Sequence, residues 1–335
     1  MRVKLKDITK FSKGTQINGK NLIDDGAYSY LNGGINPSGK WNEFNVSENT
    51  VTISEGGNSS GYVNYMNDAF WCGAHCYYLY DGPKNSKYLY YALKSQQERL
   101  FRIRSGACMP NIKKSDLGNF IIEYEKDEVR QEEVVKVLEK CELLIEDYNK
   151  KLTLLDEAVR ARFVEMFGDP VINSCQFPVQ PMTDICDIID GDRGKNYPKS
   201  EEILDDGYCL FLNAKNVTQK GFDFENCNFI TREKDDALRN GKLSRGDVVL
   251  TTRGTVGNLA YYSKNVPYEN IRINSGMVIL RMNRSILNEI YFIELFKMKL
   301  SDIKEKIASG SAQPQLPIST MNKIILMIPP LELQN

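Results

Sequence analysis

The sequence predicts an α/β (α+β) chain built from two homologous mixed α/β domains joined by one long helix of coiled-coil type. Three observations predict it. Five segments of the first 124 residues recur in the same order after residue 176. Between the copies, the 41 residues from Asp127 to Phe167 contain no Gly or Pro. Through that run, apolar residues return in alternating steps of four and three.

The length of 335 residues suits two ordinary domains, and 41% hydrophobic with 26% charged residues suits a packed globular chain. There is no 18-residue apolar run to span a membrane. "MRVKLKDITKF" has no apolar core of a signal peptide, so a cytoplasmic location is expected. The eight cysteines (72, 76, 108, 141, 175, 186, 209 and 227) form no regular framework and read as reduced thiols. The single histidine, His75, nearly excludes a Ser-His-Asp triad or a multi-His metal site. "CGAHC" (Cys72 to Cys76) suggests zinc, but no second cluster with ligand spacing follows. Its flanks, "DAFWCGAHCYYLY", read as a buried aromatic strand in the core.

The elements follow in chain order. "LIDDGAYSYLNGGIN" (22–36) matches "ILDDGYCLFLNAKNV" (203–217). "VTISEGGNSSGYVNY" (51–65) matches "VVLTTRGTVGNLAYY" (248–262): a β-branched run, a Gly-rich turn and an apolar-aromatic strand. "YLYYALKSQQERLFRIRSG" (88–106) and "YFIELFKMKLSDIKEKIASG" (291–310) have helical spacing and a terminal Gly. "SGACMPNI" (105–112) and "SGSAQPQL" (309–316) share Ser-Gly-x-x-x-Pro, a turn that leads to the short strands "LGNFIIEY" and "MNKIILMIPP". The domains are therefore placed at 1–124 and 170–330, with the long helix at 125–169.

The helix carries a seam of Val134, Leu138, Cys141, Ile145, Tyr148, Leu152, Leu155, Val159 and Met166, broken at Arg162 and ending at "GDP" (168–170). At 1.5 Å per residue it makes a rod of roughly 60 Å. So long a rod with so narrow a stripe calls for a helical partner. "IPPLELQN" corresponds to the first copy's exit into the helix, so residues 331–335 are expected to start a second, missing helix, in a chain cut short at its C-terminus.

Net charge is −1, but it is unevenly spread. Residues 1–122 carry 15 Lys/Arg against 10 Asp/Glu, residues 123–169 carry 8 against 14, and residues 170–335 carry 20 against 20. An acidic middle masks a basic first part. The Gly-rich loops of the repeats are the candidate ligand sites, because they approach a polyanion closely and offer hydrogen bonds to phosphates and base edges. In the first copy the candidates are Lys20, Asn36, Ser38, Lys40, Trp41, Asn58 and Ser59. In the second they are Arg193, Lys195, Tyr197, Asn213, Lys215, Asn216, Lys220, Arg253, Thr255, Asn258, Gln313 and Gln315. Arg193, Lys195 and Arg253 suit guanine or phosphate; Asn213, Asn216, Gln313 and Gln315 suit adenine edges. The same composition also suits plain turns. No phosphate-binding glycine loop, nucleophile elbow, amino-methyltransferase signature or nuclease carboxylate cluster is present, so no catalytic or metal-binding residue is assigned.

With the duplication, the rod and the loops in place, the chain resembles the specificity subunit of a type I restriction-modification system. The likeness covers essentially the whole length. It is carried by "LDEAVRARFVEMFGDP" (155–170), "LSRGDVVLTTRGTVGN" (243–258) and "SGSAQPQLPISTMNKIILMIPPLELQ" (309–334). The first copy is looser: "VSENTVTISEGGNSSGY" replaces the Gly-Asp lead, and "SGACMPNI" lacks the Gln. The resemblance implies a non-enzymatic subunit with two target-recognition domains, each reading half of a split asymmetric site in double-stranded DNA. It implies a spacer helix that sets the distance between halves and docks modification subunits. Those subunits would bring S-adenosylmethionine, none being bound by this chain, and methylate adenine, while a restriction subunit cuts. Members carry two antiparallel spacer helices; with one, this chain is expected to pair with a second copy, a separate fragment or modification-subunit helices. A coiled-coil scaffold with protein-binding lobes, a fused enzyme, and the specificity chain of a combined restriction-modification enzyme are the rival readings.

Overall fold

The run Val248–Thr251 has no polar face, so as a strand it must be covered on both sides. The computed structural model describes residues 1–106, 109–308 and 315–335 and forms two compact units, 1–151 and 152–335. In the second unit this strand lies inside a four-stranded antiparallel sheet. The order is Cys186–Asp190, Met277–Met282, Val248–Thr251, Leu259–Tyr261. Val248 and Leu250 join Val278, Leu280, Phe292 and Phe296 in one apolar cluster, with the last two supplied by the helix Glu289–Ala308. Val249, Met277 and Ile279 face the other way, against Leu210, Leu212, Ile271 and Ile273. Those four belong to a three-stranded sheet ordered Phe229–Ile230, Cys209–Leu212, Ile271–Ile273. The unit is thus helix on sheet on sheet, and each fully buried Val, Leu or Ile contributes about 1.5–3 kcal/mol.

The first unit repeats both sheets in the same order, and the second adds a short hairpin, Val217–Thr218 with Gly221–Phe222. The first unit's four-stranded sheet runs Lys10–Lys13, Cys76–Tyr80, Thr50–Ser54, Val63–Met66, and its three-stranded sheet runs Gly39–Trp41, Tyr28–Leu31, Phe70–Cys72. In both three-stranded sheets the central strand pairs parallel with one neighbour and antiparallel with the other. A two-stranded ladder accompanies each: Arg2–Lys4 with Ile121–Glu123, and Val179–Pro181 with Ile325–Met327.

Two expectations need correction. The aromatic run 68–80 is two strands in different sheets, turned at 73–75. Cys72 and Cys76 are buried, but His75 sits exposed on the turn, so the core reading holds for the thiols and not for the imidazole. The first copy's helix is broken into Ser86–Lys94 and Gln97–Arg102, and it ends before Gly106. Gln97 explains the break: its side chain donates to Gly61 O (2.6 Å) and accepts from Val63 N (3.0 Å), which ties it to the neighbouring hairpin.

The long helix is Glu128–Phe167. Asp127 caps it by accepting from Val129 N at 3.0 Å, and Gly168 (φ 76°) stops it by donating to Val164 O at 2.8 Å. Gln131 and Val135 are buried near its start and Phe163 and Phe167 near its end, the latter two against Tyr291 with ring centroids 5.4 and 4.9 Å away. The residues 331–335 hold a single turn, Leu331–Gln334. Gln334 is its anchor, donating to Pro329 O (2.7 Å) and Ile286 O (3.0 Å) and accepting from Asn288 N (2.9 Å). Gln131 plays the same part in the first unit, donating to Glu125 O at 2.7 Å and Tyr124 Oη at 3.1 Å.

Candidate nucleic-acid interface

In the second unit, strands 186–190, 209–212, 248–251 and 271–273 all run out at one end, and their loops are stitched together there. Thr252 N and Arg253 N donate to Gly276 O (2.9 and 3.2 Å), Asn274 N to Leu212 O (3.2 Å), and Leu316 N to Thr252 O (3.0 Å). The glycines at 254 and 257, with φ of 71° and 87°, turn the loop that presents Arg253 and Thr255. A cleft of about 250 Å³ opens at this end, lined by Asp190, Arg193, Thr252, Arg253 and Gln315 among others. Three candidates from distant loops therefore meet in one place.

Their states differ. Arg193 Nη2 donates to Asp190 Oδ1 at 3.0 Å and to Ser275 O at 3.3 Å, so this guanidinium is partly committed. Arg253 is exposed, and its side chain makes no hydrogen bond or ion pair among the described residues. Asp192 shapes the same loop. Its carboxylate accepts from Gly194 N (2.9 Å) and Arg239 N (2.8 Å), and those bonds hold its pKa below the usual carboxylate range. Lys195, Lys215 and Thr255 are exposed.

The structure takes other candidates out of reach. Asn216 is buried; it donates to Asp223 O and Asn226 O (3.0 and 2.9 Å) and accepts from Asn213 N at 3.0 Å. Asn258 is buried too, and donates to Val217 O at 2.9 Å. Both amides satisfy loop carbonyls, and turning either to a base would orphan buried groups. Asn213 spends its side-chain oxygen on Lys215 N (2.9 Å), and Tyr197 packs edge-on to Phe211. Lys220 lines a different groove with Phe222 and Tyr261. Gln313 lies outside the described residues.

The equivalent end of the first unit is chemically different. Ser54 and Ser59 both donate to Gly33 O, which commits Ser59 to holding its loop. Asn36, Ser38 and Asn58 are exposed there. Lys40 and Trp41 lie on the outer strand of the three-stranded sheet instead, and Lys20 is exposed on the short turn Gly19–Asn21. Sequence reasoning missed a cluster at the loop end: Glu55 accepts from Lys13 Nζ at 2.7 Å and faces His75 Nδ1 at 3.4 Å. It also missed Asp190, although the i, i+3 spacing of "DGDR" is a signal for that pair.

No group of His, Cys, Asp and Glu among the described residues could hold a metal ion, and no described helix is long and apolar enough to cross a membrane. Cys186 and Cys209 are buried, which pushes their thiols up to about 12.

Two stretches, residues 1–155 and 177–335, match the family model described as the type I restriction modification DNA specificity domain. The chain belongs to that family. Its two matched stretches coincide with the two topological copies. The specificity chain is 29% identical over 318 residues to a Mycoplasma genitalium protein named as a type I specificity subunit, covering 90% of this chain and 75% of that one. A Mycoplasma pneumoniae protein named likewise is 28% identical over 315 residues, covering 90% and 77%. In fold, the specificity chain is similar to the crystal structure of a type I restriction-modification S subunit from M. genitalium. The TM-score is 0.59 at 23% identity, over all of this chain and 86% of the other. Specificity subunits are the non-catalytic, DNA-recognising members of restriction-modification systems, and that role follows for this chain from its family.

Proposed function

We propose that the two units each read one half of a bipartite asymmetric site in double-stranded DNA, through the loop ends described above. The observation that carries this is one scaffold used twice with different side chains at equivalent positions. Where the second unit presents Arg253 opposite Gln315, the first presents Gly56 opposite Asn111. The flanking hydrogen bonds match, with Leu316 N to Thr252 O in one unit and Ile112 N to Glu55 O (2.9 Å) in the other. Equal scaffolds with unequal loops suit two different half-sequences.

The helix Glu128–Phe167 supplies the second part of the proposal. Val134, Ile145, Tyr148, Leu152, Leu155, Val159 and Met166 are exposed in the chain, as is Cys141, while Leu138 is half-buried. Val137 and Leu144, also exposed, widen the stripe beyond the heptad seam. So broad an apolar face suits helical partners: modification subunits that carry S-adenosylmethionine and methylate adenine, or a second copy or fragment of a specificity chain. A restriction subunit completes the complex.

The experiment is DNA binding by the purified chain as a function of salt. Recognition of duplex DNA predicts a log–log slope of about −0.9 for each phosphate neutralised. Affinity that ignores salt would favour the protein-scaffold reading and sink this one.

A further inference from the structure

We propose that Arg253 and Gln315 form one reading head that recognises two adjacent base pairs, a G·C next to an A·T, in the half-site of the second unit. The inference rests on the DNA-reading role above. The two residues stand directly opposite one another in an antiparallel bridge. That bridge is pinned by Leu316 N to Thr252 O at 3.0 Å and by Arg253 N to Gly276 O at 3.2 Å. Residues so opposed project to the same face with Cβ atoms about 4.5–5.5 Å apart. Both line the same cleft. That separation exceeds the roughly 3.4 Å rise between stacked base pairs, so the two side chains are spaced to address neighbouring pairs.

Their chemistry is complementary to two different purines. A guanidinium fork fits guanine O6 and N7, and a carboxamide fits adenine N6 and N7. Both side chains are exposed and make no hydrogen bond or ion pair among the described residues, so their donors and acceptors are free for this use. Arg193, in the same cleft, is not equivalent: its Nη2 is held by Asp190 and Ser275, and the neighbouring carboxylate offsets its charge. It flanks the head. In the first unit the matching bridge joins Gly56 to Asn111, which offers one amide and no guanidinium. The paired signature therefore belongs to one half-site only.

The test is selection from a random-sequence duplex pool by the full chain, wild type against Arg253→Lys, Gln315→Ala and the double variant. Both positions are exposed, and lysine keeps the charge while removing the fork. The wild type should enrich a motif in which one half holds adjacent G·C and A·T pairs. Arg253→Lys should cut the preference for that G·C by roughly 5- to 150-fold and leave its neighbour intact. Gln315→Ala should relax only the neighbour, and the other half-site should not change. If the relaxed pairs are not adjacent, or both variants weaken all sequences equally, the reading head is overturned while DNA recognition stands. If the wild type enriches nothing, DNA recognition by the chain fails and takes the head with it.

Discussion

Arg272→Met should be among the most damaging single changes in the second unit, and it should leave the first untouched. Asp235 is fully buried and is held by Arg272 Nε and by Lys242 Nζ at 2.5 Å. Arg272 also donates to Asn240 O (2.7 Å), Asp235 O (2.7 Å) and Leu238 O (3.1 Å), which fastens residues 235–240 to the strand Ile271–Ile273. Removing the guanidinium strands a buried carboxylate and three carbonyls, at about 3–5 kcal/mol, or roughly 6–20 °C in Tm for a unit of this size. Lys242→Met should cost about 1 kcal/mol or less, because that side chain is 42% exposed and Arg272 remains. Burial pushes the Asp235 carboxyl up, but Lys242 and Arg272 outweigh it and hold it below its usual value. Its stabilisation is therefore complete above the unfolded carboxylate pKa of about 3.9 and is lost as pH falls through the lower folded value. Both tryptophans, Trp41 and Trp71, lie in the first unit. Far-UV circular dichroism should show the early transition of the variant while tryptophan fluorescence keeps its wild-type midpoint. Equal effects of Arg272→Met and Lys242→Met, or a shifted tryptophan transition, would refute the reasoning.

Three other outcomes are expected. Gln131→Ala and Gln334→Ala should each cost about 1–3 kcal/mol by taking the partner from buried and part-buried groups, Glu125 O and Tyr124 Oη for the first, and Pro329 O, Ile286 O and Asn288 N for the second; the first is read by tryptophan fluorescence and the second by circular dichroism, and losses under about 0.5 kcal/mol in both would count against their anchoring role. Phe163→Ala should remove about 3–5 kcal/mol from the second unit alone, since its ring packs on Phe167 and Tyr291, and a urea midpoint unchanged by circular dichroism would contradict it. Ile145→Asp should leave both units folded but weaken association through the exposed helix face, seen by light scattering at high protein concentration; a strictly monomeric wild type under those conditions would remove self-pairing.

The duplication was legible because its markers are backbone-determined. "LNG" and "LNA" close equivalent central strands, and the glycines after Ser54 and Thr251 turn equivalent hairpins. The helix end at Gly168 was legible for the same reason. The site was legible only in part. Asn216 and Asn258 have the same side chain as Asn36 and Asn58, yet the first pair is spent on loop carbonyls and the second is exposed. Residue type cannot separate those roles, since the same amide can hold a loop carbonyl or stand exposed to a ligand. Arg253 and Gln315 are far apart in sequence, and only the bridge brings them together. Gln97 broke an expected helix through bonds to a hairpin that helical periodicity does not encode.

The central claim is that one scaffold, used twice, reads two different half-sequences. The most direct measurement is the methylome of cells that express this chain with its modification partner, beside cells expressing the Arg253→Lys chain. The account predicts a single bipartite motif with an unspecified gap, and relaxation confined to one half in the variant. An uninterrupted motif, or relaxation spread over both halves, would contradict it.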